Sequence, residues 1–221
     1  MNKNVLFVLS NISKTAQGFK TGIWLDEFAI PYMKIKNEGY KITLASPNGG
    51  LVTIDEKSVP KVVDSKKDFV CEILENTEKL SDLDYESFDA VIIPGGHAVM
   101  FDLVENIDVS KLLSFAFYEN KIIAAICHAT SVLISAKTKD NKPIIEGKDV
   151  TGFSNEEEKL SDFEENLPFS IENKMKELKA VYSCGKPFVS YVIEDGNLIT
   201  AQNSQSSEDF ANAIVEKLKE I

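Results

Sequence analysis

The chain has 221 residues, of which 43% are hydrophobic and 27% are charged, a composition typical of globular proteins and not of disordered ones. It carries 24 Lys and Arg against 35 Asp and Glu, which gives a formal net charge of -11. Because nucleic acids and anionic membrane surfaces bind basic faces, neither is expected as a partner.

A short apolar run lies at residues 5–9. It is too short for the core of a signal peptide or for a membrane span, and no run of about 18 apolar residues follows it. The run therefore predicts a buried first strand. Three cysteines are too few for a disulfide framework, and their spacing fits no zinc site. We expect reduced thiols in a cytoplasmic protein, with no metal and no other cofactor.

Apolar runs alternate with amphipathic segments along the chain, which predicts an α/β fold with a mostly parallel sheet covered by helices. No linker or repeat interrupts the pattern, so residues 1–221 are expected to form a single domain. The predicted strands are residues 5–9, 41–45, 90–93 and 122–126, and the predicted helices are residues 22–37, 110–119 and 207–219.

Two later segments depart from simple alternation. Residues 189–193 and 198–201 flank Asp195-Gly196, a dipeptide that favours a tight turn, and so predict a small β-hairpin. Residues 154–177 are strongly acidic and end in a predicted helix. This acidic excursion is either a solvated segment or a cover over a site.

Cys127 and His128 form the most informative pair in the sequence. The apolar strand at residues 122–126 runs directly into Cys127, and a helix of small residues is predicted to begin there. A nucleophile at such a strand-to-helix turn lies at the carboxyl edge of the sheet, as in a nucleophile elbow. The alternative is a cysteine that packs as a small buried hydrophobe, and spacing alone does not decide between them.

Two further segments could complete a site around Cys127. Gly95, Gly96 and His97 follow the strand at residues 90–93, and glycine N–H groups can face a developing oxyanion, although a glycine pair is more often a turn. Glu27 lies in an apolar stretch of the first helix. On an inward face it could share a proton with a thiol, but the pattern by itself favours a surface position.

Several stretches together resemble a known family over nearly the whole chain. They are Thr21-Gly22 with Glu27 and Pro31, Pro94-Gly95-Gly96-His97 with Phe101-Asp102-Leu103, Ala125-Ile126-Cys127-His128, Ile145-Glu146-Gly147-Lys148, Thr151-Gly152-Phe153-Ser154-Asn155, and Leu198-Ile199-Thr200 with Gln202-Asn203. This combination resembles the ThiJ/PfpI superfamily, which has the fold of the class I glutamine amidotransferases. The Thr-Gly-Phe segment followed by Glu resembles its branch of heat-shock chaperones and glyoxalase III enzymes.

The resemblance implies a flavodoxin-like three-layer sandwich, a homodimer and a set of site residues. Cys127 is the implied nucleophile, Glu27 its carboxylate partner and His128 the neighbouring acid–base. Glu158 is the implied partner of His128, and Glu157 is the alternative because three glutamates in a row leave the register open. The implied oxyanion and substrate-binding positions are Gly95, Gly96, His97 and Ala129.

The family pattern has Gly where this chain has Ala98 and Ala129, and we expect their methyl groups near the mouth of the pocket. Because the net charge of -11 disfavours a thiolate, a lowered pKa at Cys127 is expected to come from local N–H groups and from His128. Cys71, in a helical pattern, is expected to pack in the core.

Three functions fit these residues. The leading hypothesis is a cofactor-free glyoxalase that converts methylglyoxal or a similar small 2-oxoaldehyde to a 2-hydroxy acid through a Cys127 hemithioacetal. A cysteine peptidase or amidase with a Cys-His-Glu triad is the second. The third is a non-catalytic redox sensor or holding chaperone, in which the thiol is oxidised to a sulfinic acid.

Overall fold

The computed structural model describes residues 3–59, 65–161 and 167–221. Residues 162–166 of the acidic excursion lie outside this range. In the described part, seven strands form one sheet in the order β3-β2-β1-β4-β5-β9-β8. They are β1 (Asn4–Val8), β2 (Lys41–Ser46), β3 (Glu78–Lys79), β4 (Ala90–Ile93), β5 (Ile122–Ile126), β8 (Val192–Asp195) and β9 (Leu198–Ala201). β6 (Asp149–Val150) and β7 (Val181–Tyr182) form a separate two-stranded sheet.

Helices flank the large sheet, which confirms the predicted flavodoxin-like α/β fold. The helix α1 packs on α7, and α4 packs against β4 and β5. The α-helices are α1 (Leu25–Asn37), α2 (Ser65–Ile73), α3 (Val99–Asp102), α4 (Ile107–Tyr118), α5 (Asn155–Ser161), α6 (Ile171–Glu177) and α7 (Ser207–Glu220). Short 3-10 helices lie at Glu56–Ser58, Leu80–Asp82, Tyr85–Ser87, Cys127–Ile134 and Ser204–Ser206. None of the described helices is long and apolar enough to span a membrane.

The four strands predicted from apolar runs are β1, β2, β4 and β5. All four run parallel, and β4 and β5 are completely buried, which explains their continuous apolar sequence. The predicted hairpin is β8 and β9, which pair antiparallel around Gly196 at φ +64°. β8 begins later than predicted because residues 186–189 form a turn in which Val189 N donates to Lys186 O.

Two predicted helices begin at different residues. α1 begins at Leu25 instead of residue 22, because the preceding residues are extended: Ile23 N donates to Thr53 O, and Trp24 N donates to Gly95 O. α4 begins three residues earlier than predicted, because Asn106 caps it by accepting hydrogen bonds from the backbone N–H groups of residues 108 and 109.

The sheet order determines where the site forms. β4, β5 and β9 are neighbours and run parallel, so their carboxyl ends lie side by side on the same side of the sheet, near its centre. Gly95 follows β4 and Cys127 follows β5 on that side. Ligands of open α/β sheets bind outside the carboxyl ends of the strands, so this side is the place to look for a site.

Candidate active site

Cys127 forms a sharp turn between β5 and the 3-10 helix Cys127–Ile134. Its backbone adopts φ +58°, in the left-handed region that a residue with a Cβ rarely occupies. Such conformations persist only where the surroundings hold them, and they are concentrated at functional sites. The strand, the turn and the helix together have the geometry of a nucleophile elbow.

The helix after the elbow is of the 3-10 type because side-chain hydroxyls bond its first carbonyls. Thr130 Oγ1 donates to Cys127 O at 2.8 Å, and Ser131 Oγ donates to His128 O at 2.6 Å. These bonds compete with the backbone pattern of an α-helix. They also fix the carbonyls of the two residues that carry the candidate chemistry.

Glu27 points from α1 into the core beside Cys127, and only 1% of its surface is exposed. A Cβ on Gly95 would overlap Glu27 Oε2 and lie 2.9 Å from Cys127 Cβ. The side chains of Glu27 and Cys127 therefore both pack against Gly95, a position that only glycine can fill. Neither oxygen of Glu27 makes a hydrogen bond of ordinary geometry within the described residues. A buried carboxylate without such bonds is costly to ionise, which makes it a candidate proton carrier.

His128 links Cys127 to Glu158. Its Nδ1 lies 3.3 Å from Cys127 Sγ, and its Nε2 lies 2.7 Å from Glu158 Oε1. The imidazole ring also packs against His97, with ring centroids 4.2 Å apart, and against Phe153, at 4.4 Å. A nucleophile, a base and an orienting carboxylate therefore stand in line, the arrangement of a catalytic triad.

The three consecutive glutamates of α5 have three different surroundings. Glu156 is exposed, whereas Glu157 and Glu158 are buried. Glu158 contacts His128, so Glu158, and not Glu157, lies beside the imidazole. Glu157 instead accepts five hydrogen bonds, from Ser154 N, Ser154 Oγ, Phe188 N, Gln202 Nε2 and Asn203 Nδ2.

The remaining sequence-derived positions lie around this line of side chains. Gly96 has φ +104°, and a Cβ there would overlap Gly22 O, so it permits a close approach of the chain before α1. His97 is mostly buried. Ala98 and Ala129 are completely buried, so their methyl groups do not form the mouth of the site, contrary to expectation.

A family model matches most of the chain. The model of the DJ-1/PfpI family matches residues 21–217. The chain belongs to the DJ-1/PfpI family. This is the ThiJ/PfpI resemblance that the sequence motifs indicated.

Individual relatives of this DJ-1/PfpI chain cover almost its whole length. The solved structure of the rapid encystment protein of Francisella tularensis is 37% identical, covers 98% of this chain and 99% of its own, and has a TM-score of 0.91. The structure of glyoxalase III from Candida albicans is 25% identical, with coverages of 97% and 96% and a TM-score of 0.84. A glutathione-independent glyoxalase of Schizosaccharomyces pombe is 28% identical, with 98% of each chain covered.

Burial controls the protonation of the site. It raises the pKa of Glu27 to about 8, an effect that the neighbouring Cys127 side chain and Gly95 backbone partly offset. It raises the pKa of Glu158 to about 7 and lowers the pKa of His128 to about 3. At neutral pH, His128 is therefore a neutral imidazole, and the two carboxyl groups titrate near the working pH of a general acid or base.

The expectation of a lowered pKa at Cys127 is wrong. Burial raises the pKa of the Cys127 thiol, and the Glu27 carboxylate raises it further, whereas the backbone N–H of His128 lowers it by less. Because His128 is neutral, it provides no positive charge for a thiolate. The site of this DJ-1/PfpI chain thus holds a neutral thiol between the neutral imidazole of His128, which can accept its proton, and the Glu27 carboxyl group, which carries its own proton at neutral pH.

Two contributors to the site escaped the sequence analysis. The sequence presents Phe153 only as part of the Thr-Gly-Phe motif, whereas in the structure its ring packs on His128. A Cβ on the neighbouring Gly152 would overlap Thr130 Oγ1, so this glycine brings the segment against the helix of the elbow. Glu157 was named only as an alternative to Glu158. A network of five hydrogen bonds has no signature in sequence, because its donors lie up to 46 residues away.

The raised pKa of Glu27 predicts a pH-dependent difference in stability between the wild type and Glu27→Gln. The folded chain holds this proton up to pH about 8, whereas the usual pKa is 4.5. The free energy of unfolding of the wild type relative to the variant is therefore highest below pH 4.5 and falls, on the order of several kcal/mol, as the pH rises to about 8. Urea denaturation of both proteins across this range measures the difference, and a difference that rises with pH would contradict the assignment.

Proposed function

We propose that this DJ-1/PfpI protein is a cofactor-independent glyoxalase that converts methylglyoxal or a similar small 2-oxoaldehyde to the 2-hydroxy acid. The observation that carries the proposal is the convergence of Cys127 with Glu27 on one side and His128 and Glu158 on the other. The names of the Candida albicans and Schizosaccharomyces pombe relatives support the same class of reaction. We further propose that the chain acts as a single-domain, cytoplasmic homodimer in protection against reactive carbonyls.

The first step forms a hemithioacetal. With Nε2–H donated to the Glu158 carboxylate, Nδ1 of His128 presents a lone pair to the thiol at 3.3 Å. It takes the thiol proton while sulfur attacks the aldehyde carbon, and Glu158 stabilises the imidazolium that forms. The carbonyl oxygen becomes an alkoxide, which takes a proton from the protonated Glu27 and leaves Glu27 as a carboxylate. We propose that backbone N–H groups of Gly95 and Gly96 support this oxygen, with His97 and Ala129 beside the substrate.

The second step moves the carbon-bound proton. The Glu27 carboxylate, with its pKa raised to about 8 by burial, accepts the proton from the former aldehyde carbon, while the ketone oxygen takes a proton from the His128 imidazolium, which gives an enediol. Glu27 then returns its proton to the adjacent carbon as the hydroxyl on the first carbon gives its proton back to His128, which leaves a thioester of the 2-hydroxy acid. Water then attacks the thioester, which releases the acid and restores the thiol. The sum is addition of one water to the 2-oxoaldehyde, with no net oxidation and no cofactor.

The burial of the site favours a small substrate over a peptide. Only 5% of the Cys127 surface and 2% of the His128 surface are exposed, so an extended peptide has no room at the thiol. The same burial disfavours the redox-sensor hypothesis, because the thiol carries its proton and oxidation begins from the thiolate. No feature of the described residues favours the peptidase or the redox-sensor hypothesis over the glyoxalase hypothesis.

Replacement of Cys127 by Ala tests the proposal. The variant should convert methylglyoxal at least about 10⁴-fold more slowly in buffer without glutathione, because the covalent route is lost. Cys71→Ala and Cys184→Ala are matched controls, since both of these free thiols are exposed, and they should retain wild-type rates. A Cys127→Ala protein that converts methylglyoxal as fast as the wild type would contradict the proposal.

A further inference from the structure

Three side chains from distant parts of the sequence meet beside the elbow. His97 follows β4, His128 lies in the 3-10 helix after β5, and Glu158 lies on α5. One nitrogen or oxygen atom from each lies within 4.8 Å of the others. The spacings of 31 and 30 residues match no metal motif, so the cluster was invisible in the sequence.

We propose that His97, His128 and Glu158 bind a divalent transition-metal ion such as Zn²⁺, and that the bound ion switches the Cys127 site off. Two imidazoles and one carboxylate are a donor set that zinc uses in open sites with one free coordination position. Hard ions such as Mg²⁺ prefer oxygen donors and are not expected to bind there. The inhibition rests on the proposed function, whereas the binding does not.

The burial of the cluster suits a metal ion. Only 9% of the His97 surface and 2% of the His128 surface are exposed, so an ion held by them would be largely shielded from competing water. Glu158 is only 3% exposed, and its Oε2 makes no hydrogen bond of ordinary geometry within the described part of the chain. A buried carboxylate oxygen that lacks such a bond can be satisfied by a cation.

The geometry needs a small adjustment to accept the ion. His128 Nε2 and Glu158 Oε1 are 2.7 Å apart and share a proton. Two ligands of a tetrahedral Zn²⁺ are separated by about 3.4 Å, from bond lengths of about 2.0–2.2 Å. The pair must therefore open by roughly 0.7 Å, and ligand atoms up to 4.8 Å apart must close by up to about 1.4 Å, shifts that rotations of the side chains can provide.

The inhibition follows from the tautomer of His128. In the proposed reaction Nε2 carries the hydrogen and Nδ1 accepts the thiol proton. When Nε2 binds the ion, the hydrogen moves to Nδ1, which then faces Cys127 Sγ at 3.3 Å as a donor. The imidazole can no longer accept the thiol proton, and Glu158 no longer supports the imidazolium. The protein would thus be inactive with the ion bound and active without it.

Metal binding can be tested apart from activity in a chain without thiols. In the triple variant Cys71→Ala, Cys127→Ala, Cys184→Ala, we expect one Zn²⁺ per chain by equilibrium dialysis, unaffected by excess Mg²⁺. Co²⁺ in the same protein should give the visible absorption of a four-coordinate nitrogen and oxygen site. Adding His97→Gln, or separately Glu158→Gln, should weaken Zn²⁺ binding by roughly 100-fold or more. The circular dichroism spectrum of each variant checks that it is folded. Because the two substitutions are made in separate proteins, each one tests a ligand on its own.

Two outcomes would overturn the binding proposal. One is the absence of a one-to-one Zn²⁺ complex in the triple variant, and the other is binding that both ligand substitutions leave unchanged. For the wild type, we expect Zn²⁺ to suppress methylglyoxal conversion and a chelator to restore it. One-to-one binding in a protein that never converts methylglyoxal would refute the proposed function and leave the metal site standing.

Discussion

Glu158→Gln is expected to lower kcat for methylglyoxal by about 10²–10⁴-fold while the chain stays folded. The carboxylate accepts the Nε2 hydrogen of His128 at 2.7 Å and so sets the tautomer that accepts the thiol proton. A glutamine amide either donates to Nε2, which reverses the tautomer, or accepts without a charge to stabilise the imidazolium. Because burial already raises the pKa of Glu158 to about 7, a neutral replacement should cost little stability.

The pH profile separates this role from a merely structural one. In the wild type, kcat/KM should rise with pH through about 7, as Glu158 ionises and His128 adopts the productive tautomer. In Glu158→Gln that rise should be absent, because no titrating group remains at the position. A variant that keeps both the wild-type rate and the wild-type profile would show that Glu158 does not direct His128.

Glu157→Gln is expected to reduce stability instead, with a loss in the free energy of unfolding on the order of 2–5 kcal/mol. Glu157 is completely buried, and its two oxygens accept five hydrogen bonds. In a glutamine, one oxygen becomes an NH₂ group that meets at least two donors, so those donors lose their acceptor. Each buried donor left unpaired costs about 1–3 kcal/mol.

Thermal or urea unfolding, followed by the fluorescence of the single Trp24, measures this loss. Glu156→Gln is the matched control, because it makes the same chemical change one residue earlier on an exposed side chain. It should change the free energy of unfolding by less than about 0.5 kcal/mol. If Glu157→Gln were as stable as Glu156→Gln, the five hydrogen bonds of Glu157 would not stabilise the folded chain.

The fold was predictable because its central strands are buried on both faces. Such strands are continuous apolar runs, and β4, β5 and the elbow after β5 are therefore visible in sequence. Short elements were not visible: β3 has two charged, exposed residues and pairs only at an edge. The predicted start of α1 is too early because Ile23 pairs with residues 53–55, a tertiary contact that outweighs helix propensity.

The candidate site was predictable in its members and not in its electrostatics. The family motifs supplied Cys127, Glu27, His128 and Glu158, but a pKa depends on burial, which sequence does not give.

The burial of Cys71 on α2 could not be read from the sequence either. Val70 on α2 and Leu74 just after this helix are buried, whereas Cys71 is exposed, so the prediction that it packs in the core is wrong.

The central claim is that Glu27 and Cys127 act together on a small 2-oxoaldehyde, and lactate production by Glu27→Gln tests it most directly. Proton NMR of methylglyoxal reactions without glutathione should show lactate with the wild type and at an equal rate with Asp26→Asn, the matched change one residue earlier on α1. Glu27→Gln should form lactate about 10²–10⁴-fold more slowly, because an amide cannot carry the proton between the two carbons. Lactate production by Glu27→Gln at the wild-type rate, or no lactate from the wild type, would contradict the account.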